Sequence, residues 1–411
     1  MEIALNGYYT LILATIVLLI GKFLVKKIKF LEDFSIPEPV AGGLVAAAII
    51  YALNAFFGYS FVFFKDLQTA CMLMFYASIG LSADFSRLKA GGMPLVIFTI
   101  VVSVFIVLQN GVGVALASAF GLEPLMGLVL GSIPLTGGHG TAGAWGATLE
   151  EKYQLVGATT LGIAAATYGL VAGGLIGGPV AKRLISKKLK MQPVAQAQTT
   201  GDYNTATNEN TNQDVFEKSD KVRLITATST IETLALFAGA LVFADVMTVV
   251  AKGTAFELPT FVWALAGGAI IRNVLTLVFN FEMFDRAVDV FGNASLSLFL
   301  AIALLNLKLW ELTSLAVPVL VILLIQTLIM IVYAYFVTFW VMGKNYDAAV
   351  LSAGHCGFGM GATPTAIANM QAITDRYLPS HKAFLVVPMV GAFFVDIINT
   401  AILSLFASML G

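Results

Sequence analysis

Hydrophobic residues run through this chain in long, nearly unbroken stretches separated by short polar joints. About 20 apolar residues carry a helix across a bilayer. Ten stretches meet that length: 8–25, 38–57, 67–83, 94–118, 155–180, 224–250, 258–279, 287–305, 312–340 and 383–408. Two shorter apolar stretches, 124–148 and 347–371, are dense in glycine. One segment, 186–221, is rich in Thr, Asn, Gln and Asp and reads as a flexible polar linker. It divides the chain into units of 1–185 and 222–411. The expected fold class is thus an all-α integral membrane protein.

Composition agrees. Of 411 residues, 58% are hydrophobic and 11% charged, too few charges to give ten helices water-facing sides. A β-barrel would show short alternating segments instead. A net charge of −1 speaks against nucleic acid as a partner. Two cysteines, Cys71 and Cys356, make neither a disulfide framework nor a zinc site, and no transition-metal site or other cofactor is expected. Glu2 is the sole charge before the first apolar run, so that run reads as a retained span, not a cleaved signal. Neither a P-loop nor an HExxH motif is present, which argues against ATP-driven pumping and metalloprotease chemistry. A GxGD-type protease would need an aspartate where GFGM has Met360.

The halves repeat. At an offset of 224, Pro94 matches Pro318, Glu123 matches Asp347 and Gly137 matches Gly361. Thr141-Ala142 matches Thr365-Ala366, and Glu151-Lys152-Tyr153 matches Asp375-Arg376-Tyr377. Ala41-Gly42-Gly43 recurs as Ala266-Gly267-Gly268. Five spans per half is an odd number, so the second half enters from the opposite side. This is the inverted-topology repeat of secondary transporters. With both termini outside and the glycine-rich stretches returning to their own side, 18 Lys and Arg fall on the inner side and four on the outer. That split places the linker in the cytoplasm.

Each glycine-rich stretch has two short arms around a tip, Thr136–Thr141 and Gly357–Thr365. An arm of about ten helical residues spans about 15 Å, half the hydrocarbon core. Both stretches therefore read as re-entrant hairpins, each placed before the last span of its half. Non-helical backbone survives at that depth where it lines a cavity. Thr363 is the expected N-cap of the second returning arm, with Pro364 in its first turn, and Thr141 or Gly140 the cap of the first. Returning arms aim free N–H groups at the centre and favour an anion. Tip carbonyls, Thr and Asn oxygens suit a small hard cation. The residues alone thus point to a cation-coupled carrier of a small anionic solute, with a pore built from paired half-helices as the alternative.

The segments SIPEPVAGG (35–43), LTGGHGTAGAW (135–145), GLVAGGLIGGPVA (169–181), GTAFELPTFV (253–262) and GNASLSLFLA (292–301) resemble the bacterial sodium/glutamate symporter family. So do 342–376 and FLVVPMVGAFFVDIIN (384–399). The resemblance covers nearly the whole chain except the linker. It implies sodium-driven uptake of L-glutamate across the inner membrane, ten spans, two re-entrant loops, and a homodimer with an elevator-like moving core. Another small organic anion, or a proton in place of sodium, is the alternative left open.

The expected substrate site comprises Thr136, Gly137, Gly138, His139, Gly140, Thr141, Gly361, Thr363, Thr365 and Asn369. Sodium candidates are Gly357, Gly359, Thr363, Asp396 and Asn399. Each has a plainer reading. His139 either donates to a carboxylate or satisfies tip carbonyls. His355 reads as packing plus one hydrogen bond. The tip glycines allow close backbone approach, or serve helix packing alone. The threonines contact ligand or cap arms. Asp396 needs a cation, which sodium, a substrate ammonium or Arg272 would supply. Glu232, Asp245, Arg272, Gln109 and Asn110 carry no assigned role.

Overall fold

The computed structural model describes residues 2–33, 36–85, 87–191, 225–254, 258–306 and 316–411. Residues 192–221 of the expected linker lie outside the described residues. Its first part does not start at 186, because the preceding helix continues through a π-turn at Leu184–Leu189.

Among the described residues the chain is helical apart from its turns and two three-residue strands, Glu2–Ala4 and Ser60–Val62, which pair in parallel. In the first half, α1 covers Gly7–Lys27, α2 Glu38–Phe57, α3 Lys65–Ser82 and α4 Arg87–Ala119. Three pieces follow: α5 Met126–Val129, α6 Ser132–Leu135 and α7 Gly138–Tyr153. The half ends with α8, Ala158–Arg183. In the second half, α9 is Ala227–Val250, α10 Thr260–Phe279, α11 Asp285–Leu305 and α12 Ala316–Tyr333. Then come α13 Tyr346–Met360, α14 Thr363–Thr374, α15 His381–Met389 and α16 Val395–Leu410.

Eight described helices are long and apolar enough to cross a membrane. The two expected spans outside that number have local causes. The third, α3, is only 18 residues long and opens on Lys65, Asp66 and Gln68. The last is divided between α15 and α16 by a π-turn at Val390–Phe394. The ninth expected span begins at 312, and residues 312–315 lie outside the described residues. Gly92, at φ 59°, breaks α4, so the membrane-length part runs Gly92–Ala119. Outward faces carry large exposed apolar side chains such as Leu19, Phe23, Ile100, Val242 and Leu324, which lipid covers without cost.

Helices α1, α2, α3, α9, α10 and α11 pack on one another as one body. The Ala-Gly-Gly repeat organises it. A Cβ on Gly42 would stand 2.0 Å from the Val17 carbonyl oxygen of α1, and one on Gly43 2.5 Å from Leu304 of α11. A Cβ on Gly267 would stand 2.7 Å from Phe243 of α9, and one on Gly268 2.5 Å from the Ala77 oxygen of α3. In each half the first glycine thus meets the preceding helix of its own half, and the second meets the third helix of the other half. One end of this body is closed by Arg272, 4% exposed, whose Nη2 donates to Asp84 at 3.0 Å while Nη1 donates to Asp285. Asn273 adds a bond to the Ala83 carbonyl at 2.8 Å and receives the Phe85 N–H.

The second body contains α4, α5–α8 and α12–α16. The small-residue run of α8 lies along α13 and α14. A Cβ on Gly169 would come 2.1 Å from the Met360 oxygen, and one on Gly177 2.2 Å from Asn369. So LVAGGLIGGPV works as a packing surface. The two bodies meet chiefly where α7 crosses α11. Gly140 and Gly143 of α7 face Phe75 of α3 and Leu296 and Phe299 of α11 there, and Lys65 bridges to Glu151 at 3.2 Å.

Candidate functional site

Helices break at both expected tips, but the caps differ from expectation. In the second hairpin Ala362 is the N-cap and Thr363 the first helical residue, with Pro364 in the first turn as the proline asymmetry requires. The Ala362 N–H bonds back to the Gly357 carbonyl, and this sets the end of α13. In the first hairpin Gly137 is the cap, not Thr141 or Gly140, and Gly138, at φ 70°, turns the chain into the helix. Neither cap is closed by a side-chain hydrogen bond, so the first-turn N–H groups of α7 and α14 stay available.

The two N-termini open on one cavity of about 490 Å³, within the usual range for a small-molecule site. Gly137, Gly138, His139 and Gly140 line it from α7, and Gly361, Ala362, Thr363 and Pro364 from α14. The tips nearly touch: a Cβ on Gly138 would stand 3.5 Å from the Gly361 oxygen. Thr136 also lines the cavity, as does Asp396 from the first turn of α16. Two converging helix N-termini create a positive potential, and two carboxylates, Asp396 and the exposed Glu38, stand at the wall. That is the charge layout for an anion that also carries a cationic group.

His139 is 6% exposed, and its Nε2 lies 3.0 Å from the Thr167 hydroxyl. That hydroxyl donates to the Ile163 carbonyl at 3.0 Å, so it accepts from Nε2–H and leaves Nδ1 as the ring's acceptor. Asp396 has no ion pair among the described residues. Arg272, its candidate structural partner, is instead committed to Asp84 and Asp285 in the other body. The plainer reading of Asp396 therefore loses its cation.

Of the expected residues, Thr136, Gly137, Gly138, His139, Gly140, Gly361, Thr363 and Asp396 line the cavity. Thr141, Thr365, Asn369, Gly357, Gly359 and Asn399 do not. Asn369 donates to the Gly173 carbonyl at 2.9 Å and ties α14 to α8. Gly357 lets α13 and α14 close, since a Cβ there would meet Ala366 at 2.4 Å. Thr365 is buried with its hydroxyl unpartnered. His355 lies outside the cavity too, with Phe98, Phe105, Tyr333 and Phe358 around it and one bond to Thr338 at 2.9 Å.

Gly359 and Asn399 belong to a buried polar layer behind the tips. Gln109 Nε2 donates to the Gly359 carbonyl at 3.1 Å, and Thr136 Oγ1 donates to Gln109 Oε1 at 2.7 Å. Asn110 Oδ1 accepts the Ser132 N–H at 3.0 Å, which holds the break between α5 and α6. Ser132 Oγ donates to Asn399 Oδ1 at 2.6 Å, and Gln326 Nε2 donates to the Gln109 carbonyl at 2.8 Å. Asn110 Nδ2 and Gln326 Oε1 remain buried without partners.

Sequence reasoning missed the wall contributed by the other body. Phe75 of α3, Glu38 at the start of α2, and Asn293 and Ser297 of α11 all line the cavity. Asn293 and Ser297 stand one turn apart in the middle of α11, and that spacing was the available signal. Gly391, in the π-turn before α16, sits against Thr363: a Cβ there would lie 2.8 Å from its hydroxyl.

A sodium/glutamate symporter family model matches residues 3–379. The sodium/glutamate symporter of Haemophilus influenzae is 52% identical over 403 residues, covering 98% of this chain and 97% of the relative. That of Escherichia coli K12 is 52% identical over 402 residues with the same coverage. Among solved structures, a sodium proton antiporter from Methanocaldococcus jannaschii aligns over 98% of this chain and 97% of its own at 14% identity and a TM-score of 0.44. The near-complete coverage at 52% identity decides the matter: this chain belongs to the sodium/glutamate symporter family.

Proposed function

We propose that this protein is a secondary active transporter, not an enzyme, that takes up L-glutamate with sodium across the bacterial inner membrane. The observation that carries this reading is the cavity where two uncapped helix N-termini face Asp396, a carboxylate with no ion pair among the described residues. Glutamate has two carboxylates and one ammonium. The carboxylates go to the first turns of α7 and α14, and the ammonium to Asp396. His139 Nδ1 is a second acceptor at the same wall. Sodium, as co-substrate, takes the oxygen-rich layer behind the tips, where Gly359, Thr136, Ser132 and Asn399 already gather, or the Asp396 carboxylate itself.

Ten crossings in two inverted repeats, with hairpins at 124–148 and 347–371, account for the matching glycine contacts of α2 and α10. The linker then lies in the cytoplasm and both termini outside. An elevator-like motion fits the two packed bodies and the glycine face of α7 between them. The body of α1–α3 and α9–α11 stays fixed, and the other carries the cavity. A homodimer would form through α9, whose outer face leaves Glu232 and Asp245 exposed, an unfavourable arrangement against lipid.

Equilibrium binding to the purified protein tests the site. Glutamate should bind in sodium chloride and at least tenfold more weakly in choline chloride, and Asp396→Asn should abolish most of the sodium-dependent part. Equal binding by wild type and Asp396→Asn would remove Asp396 from the site.

A further inference from the structure

A second pocket, of about 620 Å³, lies between the far end of α8 and the end of α14, away from the substrate cavity. Lys182, Arg183 and Ser186 line it from α8 and its π-turn, and Arg376 and Tyr377 from the residues after α14. The three cations are exposed, and none has an ion pair among the described residues. Among the described residues no acidic side chain lines the pocket. Tyr377 is 6% exposed and forms a firm floor. At Gly178 nothing lies within 4 Å of where a Cβ would stand, so the mouth is open.

Cations gather at inner helix ends for topology alone, but topology requires a count and not a convergence. The internal repeat supplies the control. At the offset of 224, Lys152 and Tyr153 correspond to Arg376 and Tyr377, and Phe406 and Ala407 to Lys182 and Arg183. The corresponding pocket at the end of α7 and α16, about 530 Å³, is lined by Lys152, Tyr153, Ser404 and Ser408. Among the described residues Lys152 is its sole charged side chain. The packing of these elements therefore does not need Lys182 and Arg183, whose counterparts are Phe406 and Ala407. These two cations of α8 face Arg376 of a second element across an open space.

We propose that this pocket holds the phosphate of an anionic glycerophospholipid headgroup. The ligand chemistry is a phosphate ester, met by two arginine forks and a lysine, with Ser186 and the Tyr377 ring edge beside it. A lipid is the source because the pocket lies at the end of membrane-length α8, where headgroups reach a basic site between helices. It sits on the body that carries the substrate cavity, so occupancy would act on that body.

The full-length purified protein tests this in detergent. Retention of phosphatidylglycerol is measured by native mass spectrometry, and thermal stabilisation is measured with phosphatidylglycerol, phosphatidylcholine or sodium phosphate. Wild type should retain phosphatidylglycerol over phosphatidylcholine and gain thermal stability from the former alone. Lys182→Gln/Arg183→Gln/Arg376→Gln should weaken retention on the order of a hundredfold, with its lipid-free melting temperature unchanged. Lys187→Gln/Lys188→Gln/Lys190→Gln removes the same charge from the same helix end outside the pocket and should leave retention intact. Arg376→Gln alone should already lower it. Equal loss in both triple variants would overturn the pocket in favour of general surface charge. Stabilisation by sodium phosphate equal to that by the lipid would overturn the lipid assignment.

Discussion

Gly143→Ala is the sharpest probe of the boundary between the two bodies. Gly143 lies on the face of α7 that meets α11, and a Cβ there would stand 2.7 Å from Phe299 Cζ and 2.9 Å from Cε1. Phe299 is 0% exposed, so its ring is held by the packing around it. Forcing one methyl into a packed contact of this kind costs about 1–3 kcal/mol. The cost falls on the arrangement seen here, and under the proposed elevator-like motion it is relieved as α7 slides along α11. At about 1.4 kcal/mol per factor of ten, the population of this arrangement should drop roughly 5- to 150-fold. Lys65 and Glu151 report it, because they bridge the bodies at 3.2 Å. Disulfide formation in Lys65→Cys/Glu151→Cys should therefore slow at least fivefold when Gly143→Ala is added. The native cysteines, Cys71 and Cys356, are buried and give little background. Gly111→Ala, where nothing lies within 4 Å of the new Cβ, serves as the control and should change nothing. An unchanged cross-linking rate in a folded Gly143→Ala protein would refute a boundary that is tight in one arrangement only.

Three other outcomes follow from the same geometry. Asp396→Asn removes a carboxylate at the cavity wall that has no cation partner among the described residues. It should raise the KM for glutamate about 10- to 100-fold, the worth of one charge-assisted bond, with membrane expression retained in a surface-labelling assay. Asn399→Ala strips the buried Ser132 hydroxyl and carbonyl of their partner and should destabilise the protein by about 2–4 kcal/mol, read as a lower melting temperature in detergent. Lys65→Gln breaks a bridge whose side chains are 70% and 71% exposed, so solvent screening limits the loss to less than about 1 kcal/mol and uptake should stay within a few-fold of wild type.

The spans were legible because the length of an apolar run is itself the structural signal. Residues 38–57 form a helix over those same residues, and 287–305 differs by two residues at one end. The pairing of Asp375-Arg376-Tyr377 with Glu151-Lys152-Tyr153 was legible because the repeat preserves chemistry at fixed offset. What stayed hidden depends on partners far along the chain. The break before Ser132 is held by Asn110, 22 residues earlier, and no local pattern announces it. Asn369 shares a helix with Thr363, yet its side chain turns to Gly173 of α8, since sequence gives the face of a helix and not the neighbour that covers it. Thr363 has the right chemistry for a cap, but the Ala362 N–H reaching the Gly357 carbonyl fixes the start of α14 one residue earlier. Asn293 and Ser297 carry no glycine-rich signature, and become part of the cavity only because α11 packs against α7.

Labelled glutamate uptake into proteoliposomes, with an inward sodium gradient or with choline in its place, tests the central claim most directly. Accumulation against the glutamate gradient in sodium, and none in choline, is the result that coupled symport through this cavity predicts. Equilibration without accumulation, indifferent to sodium, would contradict it and make the paired half-helices the lining of a pore.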